Sequence, residues 1–435
     1  MLPKLTVPIC TQAEFIEAVR TVELCASSEK VYGVTRPFFA PGGKYGTCWW
    51  SLDYALAVDG YKWIDPRCET DFLYNLQAMQ DADGRILLYG IDNFDHVPIV
   101  TVPVSSLPKY FETACNAFFR TRDRALQTAV YETLARNLEW WVRERLDKRT
   151  GLFSALFEET FTPNTDFPAG EYCPVDTNMQ LACGCGAVAR MAEYLGRQEA
   201  AARFEALRGQ TLAAVERYLW SEEGKAYFPY LPSQKSHYGV LMATTFNAML
   251  FRNAAPERRA ALLEKLTDPA LFGWGRHALT TYARTEPGFS VVRGEYIGNP
   301  CWQGSVWTLT NRPVIHALAA CGEREYSAEL ACATVREFKN SYTEFHDPDT
   351  GEGFGVADYA WTAAQCIAIL VEDLFGISVD LPANEIRIAP NLPSAYADAL
   401  WSIEDLPLPD GAVLSVRMEN GRVSCRSDSG MKLLF

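Results

Sequence analysis

Two kinds of helical hydrophobic pattern alternate along almost the whole chain, and this alternation constrains the fold more than any other feature. Segments such as VDTNMQLACGCGAVARMAEYL from Val175 and GVLMATTFNAMLF from Gly239 are apolar nearly all round, and a helix with no polar face is buried on every side. Segments such as TLARNLEWWVRERLDKR from Thr133 and EAAARFEALRGQTLAAVERYL from Glu199 carry charge along one face, which belongs in solvent. Helices are predicted to start near Thr11, Trp50, Arg67, Leu107, Ala125, Val175, Gln198, Gly239, Pro256, Gly304, Glu325 and Tyr359. Buried helices alternating with amphipathic ones, six of each, are what two concentric rings of antiparallel helices require.

After about Gly376 the pattern changes to short alternating runs, EIRIAP, AVLSVRMENGRVSCRS and MKLLF. They read as a small β-rich C-terminal appendage with a hairpin at Asn420-Gly421, so the expected division is a helical domain over 1–376 and the appendage over 377–435. With 435 residues, 48% of them hydrophobic and 22% charged, the chain can bury a large core. A net charge of -14 and the lack of any Lys/Arg run oppose binding to a polyanion; nucleic acid is not an expected partner. No long uninterrupted apolar stretch offers a membrane span, and the opening MLPKLTVPICTQAEF has no charged start followed by an apolar run. A cytoplasmic location without membrane association is the expectation. The 13 cysteines are scattered through helices rather than spaced as a framework, Cys183-x-Cys185 lacks a second pair, and there are only five histidines. Reduced, packed thiols and no metal site follow.

The loops that lead into the buried helices are long and rich in Gly, Pro and aromatics: RPFFAPGGKYGTCWW, EETFTPNTDFPAGEYCP, ARTEPGFSVVRGEYIGNPCWQG and YTEFHDPDTGEGFG. Aromatic faces presented on loops at corresponding positions suit the stacking of sugar rings. Cleaving a glycoside needs two carboxyl groups flanking the bond, one to protonate the leaving oxygen and one to activate water or attack directly, so carboxylates in these loops are the ones to consider.

The run YTEFHDPDTGEG from Tyr342, followed by FGVADYAWTA from Phe354, resembles the E-x-Y-D-P-x-T-G-E-G and W-S/T-A pattern that introduces the last inner helix in glycoside hydrolase family 63 and in trehalase-like and mannosylglycerate-hydrolase-like enzymes. The resemblance implies that Glu344 is the general base; His346 stands where the pattern has Tyr. PCWQGSVWTLTN from Pro300 is similar to the Y-W-R-G-P-V-W-x-x-x-N run lining the sugar pocket of the same enzymes. It implies that Trp302 and Trp307 stack on sugar and that Gly304 keeps its place, with Gln303 replacing Arg and removing a rigid fork of donors. CWWSLD from Cys48 resembles the W-x-W-D segment of the first inner helix, which makes Asp53 an acceptor for sugar hydroxyls and places Trp50, with Trp361, at the pocket rim. Asn178 falls on the D-L-N that opens a further inner helix, and is carried over as a substrate contact along with His346.

These motifs keep their order from about Arg36 to Glu372. The resemblance implies an (α/α)6 toroid and an inverting exo-glycosidase that cleaves an α-linked glucoside or mannoside of a short saccharide or glycoside. Its partner is a small carbohydrate and its cofactors are none. The general acid is open among Glu158, Glu159 and Asp166, because alignment with the acid loop of debranching amylo-glucosidases puts Asn164 at the acid position, and an amide has no proton to donate there. Two rival readings stand beside this one. A sugar epimerase or isomerase on the same fold would use His237 and His346 as bases, and a catalytically altered sugar-binding paralogue would account for Asn164, Gln303 and His346.

Overall fold

The computed structural model describes residues 2–31, 33–45, 48–90, 104–161, 171–250, 254–291 and 300–435. Its helices are α1 (Gln12–Leu24), α2 (Ser51–Tyr61), α3 (Arg67–Ala78), α4 (Tyr110–Phe118), α5 (Arg124–Arg145), α6 (Val175–Tyr194), α7 (Gln198–Tyr218), α8 (Pro256–Thr267), the single turn α9 (Pro269–Phe272), α10 (Thr308–Cys321), α11 (Arg324–Phe338) and α12 (Ala360–Ala368). Each predicted start has its helix, with one difference in kind. The segment after Gly239 winds as a 3-10 helix over Ala243–Leu250. Two β-branched residues, Thr244 and Thr245, sit at its start, and the Thr245 hydroxyl donates to the carbonyl of Tyr227 at 2.9 Å, which favours a locally bonded alternative to the α form. α12 continues as a π-turn over Ile369–Leu374.

Six of these elements close on one another. α2 packs on α4, α4 on α6, α6 on the 3-10 helix, the 3-10 helix on α10, α10 on α12, and α12 again on α2. Outside them α1 packs on α2 and α12, α3 on α2 and α4, α5 on α4 and α6, α7 on α6, α8 on the 3-10 helix, and α11 on α10 and α12. Burial follows the sequence pattern: every residue of α12 is buried, whereas α7 buries only Phe204, Thr211, Ala214 and Val215. The α2–α12 contact is a backbone contact. A Cβ on Gly60 would lie 1.8 Å from the carbonyl oxygen of Ala364, so only glycine permits this approach.

Charged groups buried between the inner helices are drawn into one network. The Arg312 guanidinium, on α10, donates to Asp373 at 3.0 Å, to Gln365 at 3.1 Å and to Glu372 at 2.6 Å, and lies 3.5 Å from Asp59. Glu372 in turn accepts from Lys62 at 2.7 Å and the Trp63 indole at 2.8 Å, and Asp59 from Thr113 at 2.9 Å. Four inner helices are tied by this network. Burial opposes the charge of Glu372, but Lys62 and Arg312 outweigh it and hold the carboxyl at about 2.

The strands after Gly376 form two sheets. Ile377–Asp380 pairs antiparallel with Glu385–Ile388, which pairs parallel with Lys432–Leu434. Trp401–Pro407, Val413–Glu419 and Arg422–Ser427 form an antiparallel meander, with Asn420 and Gly421 at φ 50 and 69 in its last turn, as a two-residue hairpin with this dipeptide requires. The N-terminal strand Lys4–Thr6 was not expected. It pairs with Trp401–Pro407 and completes a four-stranded sheet, so the first residues of the chain are built into the last. The described cysteines are all free and mostly buried, and no helix among the described residues is long and apolar enough to cross a membrane.

The buried Arg312 network generates a stability prediction. Arg312→Met leaves Asp59, Glu372 and Asp373 without their central cation, and breaking one side of a buried ion pair typically costs about 3–5 kcal/mol. The ordinary carboxyl value for Glu372 is 4.5 and its folded value about 2, so its contribution is present above pH 4.5 and is lost as pH falls toward 2. Urea denaturation at pH 7 should register the loss, and the gap between variant and parent should narrow toward acid pH. A loss below about 1 kcal/mol at pH 7, the size of an exposed pair, would contradict the network's role.

Candidate active site

The N-terminal ends of the inner helices gather at one end of the ring. Trp50, Trp307 and Tyr359 are the residues that precede α2, α10 and α12. Trp307 and Tyr359 belong to an apolar cluster, separate from the main core, that also includes Leu52, Leu107, Phe161, Phe345 and Trp361, and Trp50 stands beside Tyr45, which packs on that cluster. Trp307 is at its centre, with ring centroids 5.4 Å from Trp302, 5.1 Å from Phe345 and 5.4 Å from Trp361. Trp307 and Trp361 are nearly fully buried, at 3% and 2% exposure. Trp302 is more open on one side but stacks on Phe157 at 5.9 Å with the rings 9° from parallel. The indole N–H groups of Trp50, Trp307 and Trp361 are buried without acceptors among the described residues, and a buried donor left unpaired costs stability unless something fills it.

Three carboxylates meet at this end. Asp53, in the first turn of α2, accepts from the Tyr359 hydroxyl at 3.1 Å, and burial pushes its carboxyl up to about 7. Glu158 is pushed up to about 8, by burial first and by the charge of Asp53 second. Glu344 is 3% exposed, and its backbone N–H donates to the Val356 carbonyl at 2.9 Å. Tyr45 lies within electrostatic reach of all three: burial raises its phenol, and the charges of Glu344, Asp53 and Glu158 raise it further. Gly355, at φ 80, packs against the Glu344 side chain, with a built Cβ 3.3 Å from it.

The two adjacent glutamates have opposite situations. Glu159 is fully buried, and its oxygens are occupied by four donors: Arg145 through Nε at 2.7 Å and Nη2 at 2.9 Å, and the backbone N–H groups of Ser105 and Leu156, each at 2.9 Å. That is a bidentate, hydrogen-bonded ion pair. The charge acting on the Glu158 carboxyl is instead the like charge of Asp53, and the residue takes a left-handed backbone, φ 69, which a non-glycine residue holds only where neighbours impose it. Those neighbours are evident. Leu107 N–H donates to the Glu158 carbonyl at 2.9 Å, the Thr177 hydroxyl to the Glu159 carbonyl at 2.7 Å, and Asp176 accepts from the Thr160 hydroxyl at 2.8 Å and from Phe161 N–H. Burial holds the Asp176 carboxyl up at about 6.

Of the residues singled out from the sequence, Trp50, Asp53, Glu158, Trp302, Trp307, Glu344 and Trp361 are thus brought to one end of the ring. Gln303 and Gly304 follow Trp302 on and after the 3-10 turn Pro300–Gln303; a Cβ on Gly304 would meet the Ser290 carbonyl at 2.6 Å. Asp166, with Asn164, lies outside the described residues. Asn178 and His346 turn out to be scaffold. Asn178 accepts from Phe153 N–H and donates to the carbonyls of Phe153 and Pro174 at 2.9 and 2.7 Å, which commits both of its amide N–H donors to the protein. His346 points toward α11: Nε2 meets the Ser341 carbonyl at 2.8 Å, Nδ1 is 3.5 Å from Glu337, and the ring packs on Phe338. His237 is engaged by the Tyr218 carbonyl at 3.0 Å. One ring nitrogen of each histidine, on which the epimerase or isomerase reading would draw, is thus engaged by a backbone carbonyl. Sequence reasoning passed over Tyr45, Tyr359, Asp176 and Arg145. Tyr45 and Tyr359 lie inside the quoted runs, while Arg145 and Asp176 read as an ordinary helix-end charge and the polar residue of a helix start.

The chain is similar to known proteins both in sequence and in fold. Residues 162–362 match the model of the mannosylglycerate hydrolase MGH1-like glycoside hydrolase domain. A mannosylglycerate hydrolase from Rubrobacter radiotolerans is 31% identical over 189 residues, which is 42% of this chain and 40% of that protein. The match therefore spans well under half of the curated relative. Among solved structures, the glycoside hydrolase family 63 mannosylglycerate hydrolase from Thermus thermophilus in complex with glucose superimposes with a TM-score of 0.68 at 18% identity, over 81% of this chain and 98% of that one. A family 78 rhamnosidase of Bacillus sp. GL1 gives 0.69 at 16%, over 99% of this chain and 42% of that one. At these identities the structural likenesses are of fold. The resemblance to family 63 and mannosylglycerate-hydrolase-like glycosidases read from the motifs is thereby borne out, by the domain match over residues 162–362, by the curated relative and by the shared fold.

Proposed function

We propose that this chain is an inverting exo-glycosidase that hydrolyses an α-linked glucoside or mannoside of a short glycoside, with Glu158 as general acid and Glu344 as general base. The observation that carries the reading is the contrast between Glu158 and Glu159: one carboxyl keeps its proton to about pH 8, and its neighbour is tied to Arg145. An acid catalyst must hold a proton at the pH where it works. Glu158 therefore takes the role left open among Glu158, Glu159 and Asp166. Asp53 serves as acceptor for sugar hydroxyls while its charge helps keep Glu158 protonated. Trp50, Trp302, Trp307 and Trp361 supply apolar walls and indole donors, and water is the second substrate. No cofactor enters this scheme, and the partner is a small carbohydrate in a cytoplasmic setting.

The architecture belongs to the same proposal. The closed series of six inner elements with partners outside is read as an (α/α)6 toroid over 1–376, and 377–435 as a β appendage to which Lys4–Thr6 contributes a strand. The relative's name, mannosylglycerate hydrolase, makes a mannoside joined to a small acid the first substrate to try.

Glu344→Gln should fold and bind sugar but lose about 10²–10⁴ of kcat on any leaving group, because the amide cannot take a proton from water. Glu158→Gln should show a comparable loss on a sugar or alkyl leaving group and recover most of it on a dinitrophenyl glycoside, whose oxygen needs no proton. Equal behaviour of the two variants on the activated substrate would sink the assignment.

The pH profile follows from the direction of the Glu158 shift. The acid is competent when protonated, so kcat/KM should fall as pH rises through about 8. Asp53→Asn removes the second cause of the shift and leaves burial, so the basic limb should move to lower pH without reaching the ordinary glutamate value. A limb that stays in place would separate Asp53 from Glu158.

For the stereochemical course, an NMR time course on an α-glycoside should show the β-anomer of the released sugar first, as attack by water from the opposite face demands. Initial appearance of the α-anomer would exclude the inverting course.

A further inference from the structure

The opposite end of the ring holds a cavity of about 540 Å³. Lys62 and Trp63 enter it just beyond α2, Phe119 and Arg120 just beyond α4, and Arg190 from the last turns of α6; strands Ile377–Asp380 and Glu385–Ile388 cover it. Asp53 and Asp176 sit in the first turns of α2 and α6, at the other ends of these helices. From Asp53 to Lys62 the nine-residue step along α2 is about 14 Å at 1.5 Å per residue.

Charge in this cavity is unevenly satisfied. Lys62 pairs with Glu372 at 2.7 Å and Arg190 with Asp380 at 2.9 Å. Arg120 is different. It is 6% exposed, its Nε donates to Glu69 at 2.7 Å, and its guanidinium lies over the Trp63 ring, 4.4 Å from the centroid. Both Nη1 and Nη2 are buried without any acceptor among the described residues. Arg387, exposed on the covering strand, also lines the cavity. Basic residues near helix C-termini commonly answer the partial negative charge there, and Lys62 and Arg190 each also have a carboxylate partner. Neither fact explains a buried fork for whose two outer nitrogens the described residues offer no acceptor, since an unmade hydrogen bond from a charged group is among the costlier defects a protein interior can carry.

We propose that this cavity is a second ligand site, separate from the glycosidic site, which takes a small molecule carrying an oxyanion set against the Nη1/Nη2 fork of Arg120. A planar or tetrahedral oxyanion accepts two parallel N–H donors from one guanidinium, Arg387 adds a second positive charge at the mouth, and Trp63, Phe119, Ile377 and Val379 provide an apolar wall for the rest of the molecule. The oxyanion is a phosphoryl or a carboxylate group.

Isothermal titration of the intact protein with sodium phosphate and, separately, sodium acetate, against sodium chloride as control, tests the site. Saturable binding of one anion with a dissociation constant below about 10 mM is expected: phosphate above acetate assigns a phosphoryl ligand, acetate above phosphate a carboxylate one. Arg387→Ala, at an exposed strand position, should weaken that binding several-fold. Arg120→Gln combined with Glu69→Gln removes both charges of the buried pair together, which avoids leaving either alone, and should abolish it. Glycosidase turnover without added anion should be unchanged in Arg387→Ala, so the outcome here is independent of the catalytic assignment. Absence of saturable binding of either anion, or binding that survives the Arg120→Gln/Glu69→Gln change, overturns the proposal.

Discussion

Arg312 is the group on which the interior of this structure depends. A ring of largely apolar helices leaves its few inward charged residues with little water to turn to, so their charge has to be answered from another helix. The guanidinium of Arg312 answers Asp59 of α2, Gln365 of α12 and Glu372 and Asp373 of the π-turn from a single position on α10. Its five donors in a fixed fork do what a lysine ammonium could not, because several acceptors around one plane must be met at once. Gly60 makes the same demand in another form: α2 and α12 come so close that no side chain fits between them. Together these fix the azimuth of α2, α10 and α12 about their own axes, and hence where Asp53, Trp307 and Trp361 point at the far end.

At that end the chain separates two jobs between neighbouring residues. Glu159 is the anchor, clamped by Arg145 and two backbone donors. Glu158, the acid in the proposed scheme, has a left-handed backbone and shares with Asp53 and Glu344 the surroundings of Tyr45. A carboxyl that must be desolvated to keep its proton cannot also be clamped by a guanidinium, since the same pairing would hold it ionised. Placing the clamp one residue away secures the loop while leaving the Glu158 carboxyl outside the Arg145 pair. Asp176 and Thr177, at the start of α6, fasten the other side of the same segment.

The helices, their order and the location of Glu344, Asp53 and the tryptophans were legible because periodicity and aromatic-loop motifs are local properties of the sequence. Three things were not. The pairing of Lys4–Thr6 with Trp401–Pro407 joins the two ends of the chain, and so short a run carries no alternation to read. The difference between Glu158 and Glu159 is set by Arg145 and by a turn of the backbone, neither of which marks the letters EE. Asn178 and His346 occupy motif positions, but their hydrogen bonds go to Phe153, Pro174 and Ser341, so a motif identified them as important without distinguishing ligand from scaffold. A repeated turn also escaped notice. Asp147-Lys-Arg-Thr-Gly151 and Asp347-Pro-Asp-Thr-Gly351 share one set of bonds, the Asp carboxylate accepting from the second and third N–H ahead and the Gly N–H returning to the Asp carbonyl at 2.8 Å. In the sequence the first turn comes shortly before Glu158 and the second shortly after Glu344.

The proton affinity of Glu158 sets a tension between stability and chemistry. Its folded value, about 8, lies above the ordinary 4.5, so burial of this group is favourable below pH 4.5 and becomes a growing liability as pH rises toward 8. Asp53 and Asp176, held at about 7 and about 6 by burial, act in the same direction. The Arg312 network acts in the other: Glu372 at about 2 stabilises the fold everywhere above the acid range. The two ends of the inner helices are therefore electrostatic opposites. At one end Lys62 and Arg312 hold Glu372 ionised, and at the other burial holds Asp53, Asp176 and Glu158 protonated toward neutral pH, so acid weakens the first end and base burdens the second.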